Sequence, residues 1–102
     1  MNRLIEEHRD DLIRLCAKYR VRRLEIFGSA PTTRFDPRTS DLDFLVEFLP
    51  LQPGEYADAC FGLLEALREL FERSVDLVMT GAIRNRYFLE SINRSRTVLY
   101  AA

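Results

Sequence analysis

The run Ser40-Asp41-Leu42-Asp43-Phe44-Leu45-Val46-Glu47-Phe48 constrains this chain more than any other stretch. Its apolar content and length predict a β-strand over about Leu42 to Phe48. Alternate side chains of a strand share a face. Leu42, Phe44, Val46 and Phe48 therefore take one side, and Asp41, Asp43, Leu45 and Glu47 take the other. Two carboxylates emerge together at the front of the strand, their Cα atoms about 6.6 Å apart. Carboxylates that close repel, and a hard divalent cation such as Mg²⁺, which prefers oxygen ligands, would offset the repulsion. Glu47, beyond Leu45, reads as a surface group at the strand end and not as a ligand.

The rest of the chain alternates helical and strand periodicity. Residues 2 to about 20 predict an amphipathic helix with Leu4, Ile5, His8, Leu12, Leu15, Cys16 and Tyr19 on one stripe. His8 in that stripe reads as a packed histidine and not as a catalytic one. Arg22 to Phe27 predict a short strand, with Leu24 and Ile26 on one face and Glu25 and Phe27 on the other. Gly28 breaks that strand, and Ser29 is placed to cap a short helical turn. Pro31 to Ser40 is a polar, turn-rich loop in which Phe35 is the candidate anchor.

Pro50 and Pro53 end the second strand. Residues 55 to 72 predict a long helix with Tyr56, Ala59, Cys60, Leu63, Leu64, Leu67, Leu70 and Phe71 inward. Ser74 to Met79 predict a third strand, and 82 to about 94 a last helix burying Ile83, Tyr87, Phe88 and Ile92. Val98 to Tyr100 are expected as a short edge strand or an apolar tail. Strands alternating with helices imply an α/β or α+β class, with a small sheet covered mainly on one face.

With 102 residues, one domain over 1–102 is the expectation. Apolar residues at 47% and charged residues at 30% suit a packed core and not a disordered chain. A net charge of −1 argues against a general nucleic-acid binder. From Thr80 onward Arg84, Arg86, Arg94 and Arg96 are set against one acid, Glu90; they read first as a solvated helix face, with contact to an acidic partner or a phosphate as the alternative. Cys16 and Cys60 fall on apolar stripes and read as buried thiols. The charges at Arg3, Glu6, Glu7, Arg9, Asp10 and Asp11 do not fit a secretory leader, and no apolar run reaches bilayer length. A cytoplasmic protein is expected.

The chemistry concentrates in three carboxylates and one turn. Asp76 lies between Val75 and Leu77 in the third strand, where a buried charge without a partner is costly. If the third strand lies beside the second, Asp76 joins Asp41 and Asp43 in a site for one or two Mg²⁺ ions. Gly28 and Ser29 can then hold phosphate oxygens through backbone N–H groups and the serine hydroxyl. Glycine there permits close approach.

Phe27-Gly28-Ser29, the Ser40–Phe48 run and Val75-Asp76-Leu77-Val78 together resemble the minimal nucleotidyltransferases of the DNA polymerase β superfamily, over nearly the whole chain. The resemblance implies a mixed sheet flanked by helices, the polymerase-β-like nucleotidyltransferase fold. It also implies Mg²⁺, a nucleoside triphosphate, and transfer of a nucleoside monophosphate to a hydroxyl with loss of pyrophosphate. Asp41, Asp43 and Asp76 would be the metal ligands and catalytic carboxylates, and Gly28 and Ser29 would hold the triphosphate. Many short chains of this kind resemble antitoxins that adenylylate a tyrosine of a HEPN-domain toxin with ATP, which makes such a toxin the expected partner. Where the family often has Arg-Gly after the Gly-Ser turn, this chain has Ala30-Pro31-Thr32-Thr33-Arg34. That departure motivates the alternative of a non-catalytic antitoxin acting by contact alone. A small-molecule or RNA nucleotidyltransferase is a third reading, disfavoured for RNA by the net charge and chain length.

Overall fold

The computed structural model describes residues 3–27, 42–80, 90 and 96–102. Among them the elements run α1 (Arg3–Glu7), α2 (Arg9–Lys18), β1 (Val21–Phe27), β2 (Leu42–Phe48), α3 (Glu55–Phe71), β3 (Val75–Met79) and β4 (Thr97–Ala101). The four strands form one sheet in the order β3-β2-β1-β4. β1 pairs antiparallel with both β2 and β4, whereas β2 and β3 run parallel. A parallel pair needs a long crossover, and α3 supplies it. The sheet is therefore mixed, with helices packed on it, as expected.

The alternation in β1 and β2 decides which face the helices cover. Leu24, Ile26, Leu42, Phe44, Val46 and Phe48 join Val75 and Leu99 in the main core, against Ile5, Leu12, Cys16, Leu63, Leu67 and Phe71. The Phe44 and Phe71 rings stack with centroids 5.9 Å apart. Val98 to Tyr100 belong to β4, an edge strand, and Tyr100 packs against the main core.

The leading helix is broken where periodicity alone predicts continuity. His8 leaves helical geometry at φ −111° and ψ 13° and separates α1 from α2. Its Nδ1–H donates to the Leu4 carbonyl at 2.9 Å, a bond from side chain to backbone that competes with the helical ladder. The ring sits 5.1 Å from that of Phe71. His8 is thus a packed, half-buried residue on the helical side of the sheet.

The entry to α3 is fastened locally. Gly54 adopts φ +93°, a left-handed conformation that glycine reaches without a Cβ penalty. The Gln52 N–H donates to Glu55 Oε1 at 2.8 Å, and the Leu51 N–H donates to the Tyr56 hydroxyl at 3.0 Å. Tyr56 then meets Phe48 edge-on, with centroids 6.4 Å apart. The last expected helix, from 82 to about 94, lies outside the described residues apart from the helical Glu90, as does Phe35.

Candidate active site

β2 and β3 pair so that Asp43 is the direct partner of Asp76. Residues paired across a parallel ladder point to the same face, and neighbouring strands lie about 4.8 Å apart. The face they share is the one opposite α2 and α3. Asp43 is half-buried and Asp76 exposed. The burial cost expected for Asp76 is therefore not incurred: β3 is an edge strand, and its second residue meets solvent.

One step across the sheet, Phe27 pairs with Asp43. Phe27, Leu45 and Val78 form a second, smaller apolar cluster. The acid pair therefore has an apolar patch along one flank, which lowers the local dielectric and strengthens the field of both charges. Asp41, Gly28 and Ser29 lie outside the described residues, and so does Arg34.

The donors that are described suit a hard cation. Two carboxylates side by side offer oxygen ligands only, which matches Mg²⁺ and not a thiophilic metal. Among the described residues no group of three His, Cys, Asp or Glu side chains converges, so the described donors at this position are Asp43 and Asp76. Both thiols belong to helices on the other side of the sheet. Burial pushes Cys16 up to about 12 and raises Cys60 as well, which makes neither a nucleophile.

The same face carries a charge cluster that sequence reasoning missed. Glu25 is 1% exposed, in the middle of β1. Arg96 grips it with Nε and with Nη2, the latter at 2.8 Å from Oε1. Arg23 adds its Nε at 2.6 Å. The Arg96 contact above all holds the Glu25 carboxyl below its ordinary range, against burial, which pushes it up. Arg96 is therefore not part of a solvated arginine face but an ion-pair partner at the mouth of β4. The signal was present in Glu25 itself, a charged residue between apolar neighbours.

The sequence model of the family described as Nucleotidyltransferase domain matches residues 6–99. The chain belongs to the nucleotidyltransferase family. A curated relative from Methanocaldococcus jannaschii, named "Putative protein adenylyltransferase", is 40% identical over 75 residues, spanning 74% of this chain and 72% of its own.

Solved structures agree on the fold of this nucleotidyltransferase. A complex described as tri-AMPylated Shewanella oneidensis HEPN toxin with MNT antitoxin aligns at TM-score 0.65 and 16% identity, over 95% of this chain and 72% of that one. A toxin–antitoxin crystal structure with AMP-PNP aligns at 0.67 and 18%, over 92% and 73%. A structure described as "putative minimal nucleotidyltransferase" aligns at 0.64 and 24%, over 95% of both chains. In the described part of this nucleotidyltransferase, no helix is long and apolar enough to cross a membrane.

Proposed function

We propose that this nucleotidyltransferase transfers AMP from ATP to a hydroxyl of a protein partner, with Mg²⁺ as cofactor, and that the partner is a HEPN-domain toxin. The observation that carries the reading is the register of Asp43 against Asp76 on the face opposite α2 and α3. Support for the nucleotide comes from the relative named as an adenylyltransferase and from the neighbour that holds AMP-PNP. Support for the partner comes from the neighbour in which an MNT antitoxin sits with an AMPylated HEPN toxin.

In this reading Asp41, Asp43 and Asp76 are the metal ligands, and Gly28 and Ser29 hold the triphosphate. A bound Mg²⁺ would supply charge neutralisation for the phosphates. Asp76, exposed at the sheet edge, is the carboxylate best placed to accept a proton from an incoming hydroxyl. Asp43, half-buried beside Phe27 and Leu45, stays fixed in position by its strand. Residues 1–102 act as one catalytic domain, and a second protein presents the acceptor. The ATP supply places the reaction in the cytoplasm.

The test is incubation of purified protein with α-labelled ATP, Mg²⁺ and the co-purifying partner. Label should appear on the partner with the wild type and vanish with Asp43→Asn and with Asp76→Asn. Undiminished labelling in both variants would reject the assignment. Tight partner binding with no heat on titrating ATP and Mg²⁺ would instead favour an antitoxin that acts by contact alone.

A further inference from the structure

Four positions lie in one row across the face opposite α2 and α3. Asp76 pairs with Asp43, and Asp43 pairs with Phe27. On the other side of β1, Ile26 pairs with Thr97. Continuing that antiparallel register by one residue sets Arg96 across from Phe27. The contact with Glu25 fixes which way the Arg96 side chain turns, because Glu25 and Phe27 share the face of Asp43. A guanidinium and a carboxylate pair thus occupy the two ends of a single row. The Arg96 backbone stands two strand spacings from Asp43, about 10 Å, and three from Asp76, about 14 Å.

A buried ion pair is often replaceable by apolar residues with no loss of stability. Here the guanidinium groups of Arg96 and Arg23 both face one carboxylate, on the same side of the sheet as the acid pair. Arg96 retains 33% side-chain exposure and is open to solutes. Glu25 also holds the guanidinium plane in place before any ligand arrives, which cuts the ordering cost of binding.

We propose that Arg96, set by Glu25, binds the outer phosphates of the nucleoside triphosphate whose inner end meets Asp43 and Asp76. The inference rests on the reading of this face as a nucleotidyl-transfer site. It adds a substrate-binding residue from the end of the chain opposite to the Gly28-Ser29 turn. Arginine suits the role because its planar fork matches phosphate oxygens. Glu25 is a positioning residue that acts through Arg96.

The experiment is calorimetry with Mg²⁺ present, using ATP, inorganic tripolyphosphate and AMP as probes. In the wild type, ATP and tripolyphosphate should bind. Arg96→Gln should weaken both by roughly tenfold or more while leaving AMP unchanged, and Arg96→Lys should fall between. Wild-type protein that binds no ATP sinks the reading of the site, and the inference with it. Wild type that binds ATP, beside a folded Arg96→Gln variant of equal affinity, sinks the inference alone.

A second measurement needs no variant. Phenylglyoxal modification of the wild type, mapped by mass spectrometry, should be slowed at Arg96 by ATP and by tripolyphosphate but not by AMP. Arg3, 93% exposed, is the control. An Arg96 modified equally fast with and without bound ATP overturns the proposal.

Discussion

Gly62 of α3 and Tyr19 at the end of α2 meet so closely that a Cβ on Gly62 would stand 2.5 Å from Cε1 of the tyrosine ring. No side chain fits there unless the ring moves, and this explains a glycine in the interior of a 17-residue helix.

Gly62→Ala is therefore expected to destabilise the protein by about 1–2 kcal/mol, although alanine is the better helix former by about 1 kcal/mol. In a Tyr19→Ser background the same change should turn neutral or stabilising. Urea denaturation of the four proteins of this cycle decides it; additive effects would mean that the two residues do not interact.

The Glu25 cluster predicts a specific response to acid. The Arg96 guanidinium above all holds the Glu25 carboxyl below the ordinary carboxylate range in the folded protein. A carboxylate lowered on folding stabilises above its unfolded pKa and loses that contribution as pH falls through the folded value. Glu25→Gln should cost about 2 kcal/mol near neutral pH, and the gap to wild type should close on acidification below the ordinary carboxylate range of about 4. A gap as wide in acid as at neutrality would assign the loss to packing and not to charge.

Asp43 and Asp76 place like charges opposite one another, an arrangement that destabilises a sheet by about 0.2–1 kcal/mol. Asp76→Asn should raise the thermal midpoint of the metal-free protein slightly. It should also remove the rise that Mg²⁺ produces in the wild type, because ligand binding to the folded state alone stabilises it. Scanning fluorimetry with and without Mg²⁺ reads both effects. A variant still stabilised by Mg²⁺ as strongly as wild type would take Asp76 out of the metal site.

Glu72 closes α3 in the left-handed region at φ +51°, with its N–H bonded to the Arg68 carbonyl at 2.9 Å. That conformation costs a side-chain-bearing residue about 1–2 kcal/mol, part of which glycine returns through the unfolded chain. Glu72→Gly should gain about 0.5–1 kcal/mol in thermal denaturation. No gain would show that the Glu72 side chain contributes contacts of its own.

Local pattern made much of this architecture legible. β2 spans Leu42–Phe48, as its alternation indicates, and α3 ends within a residue of the predicted limit. The sorting of Leu24 and Ile26 from Glu25 and Phe27 also holds, because a period of two leaves one choice once a face is buried. The His8 break was not legible, since a stripe of apolar residues survives a small change in helix direction. Asp76 looked buried from its neighbours, and only the position of β3 at the sheet edge exposes it. Glu25 and Arg96 are 71 residues apart, and nothing local to either announces the other. Strand order, which sets Asp43 beside Asp76, is likewise a long-range property. The neighbourhood of Asp41, Gly28 and Ser29 remains an expectation from the resemblance.

The acid pair owes its alignment to a count. α3 ends at Phe71, and after a three-residue link β3 begins at Val75 with Asp76 in step with Asp43. Adding or removing a single residue between 72 and 74 would rotate β3 by half its period, burying the carboxylate at 76 among the leucines beneath the sheet. This short connection is thus a spacer whose length, more than its composition, has to be kept.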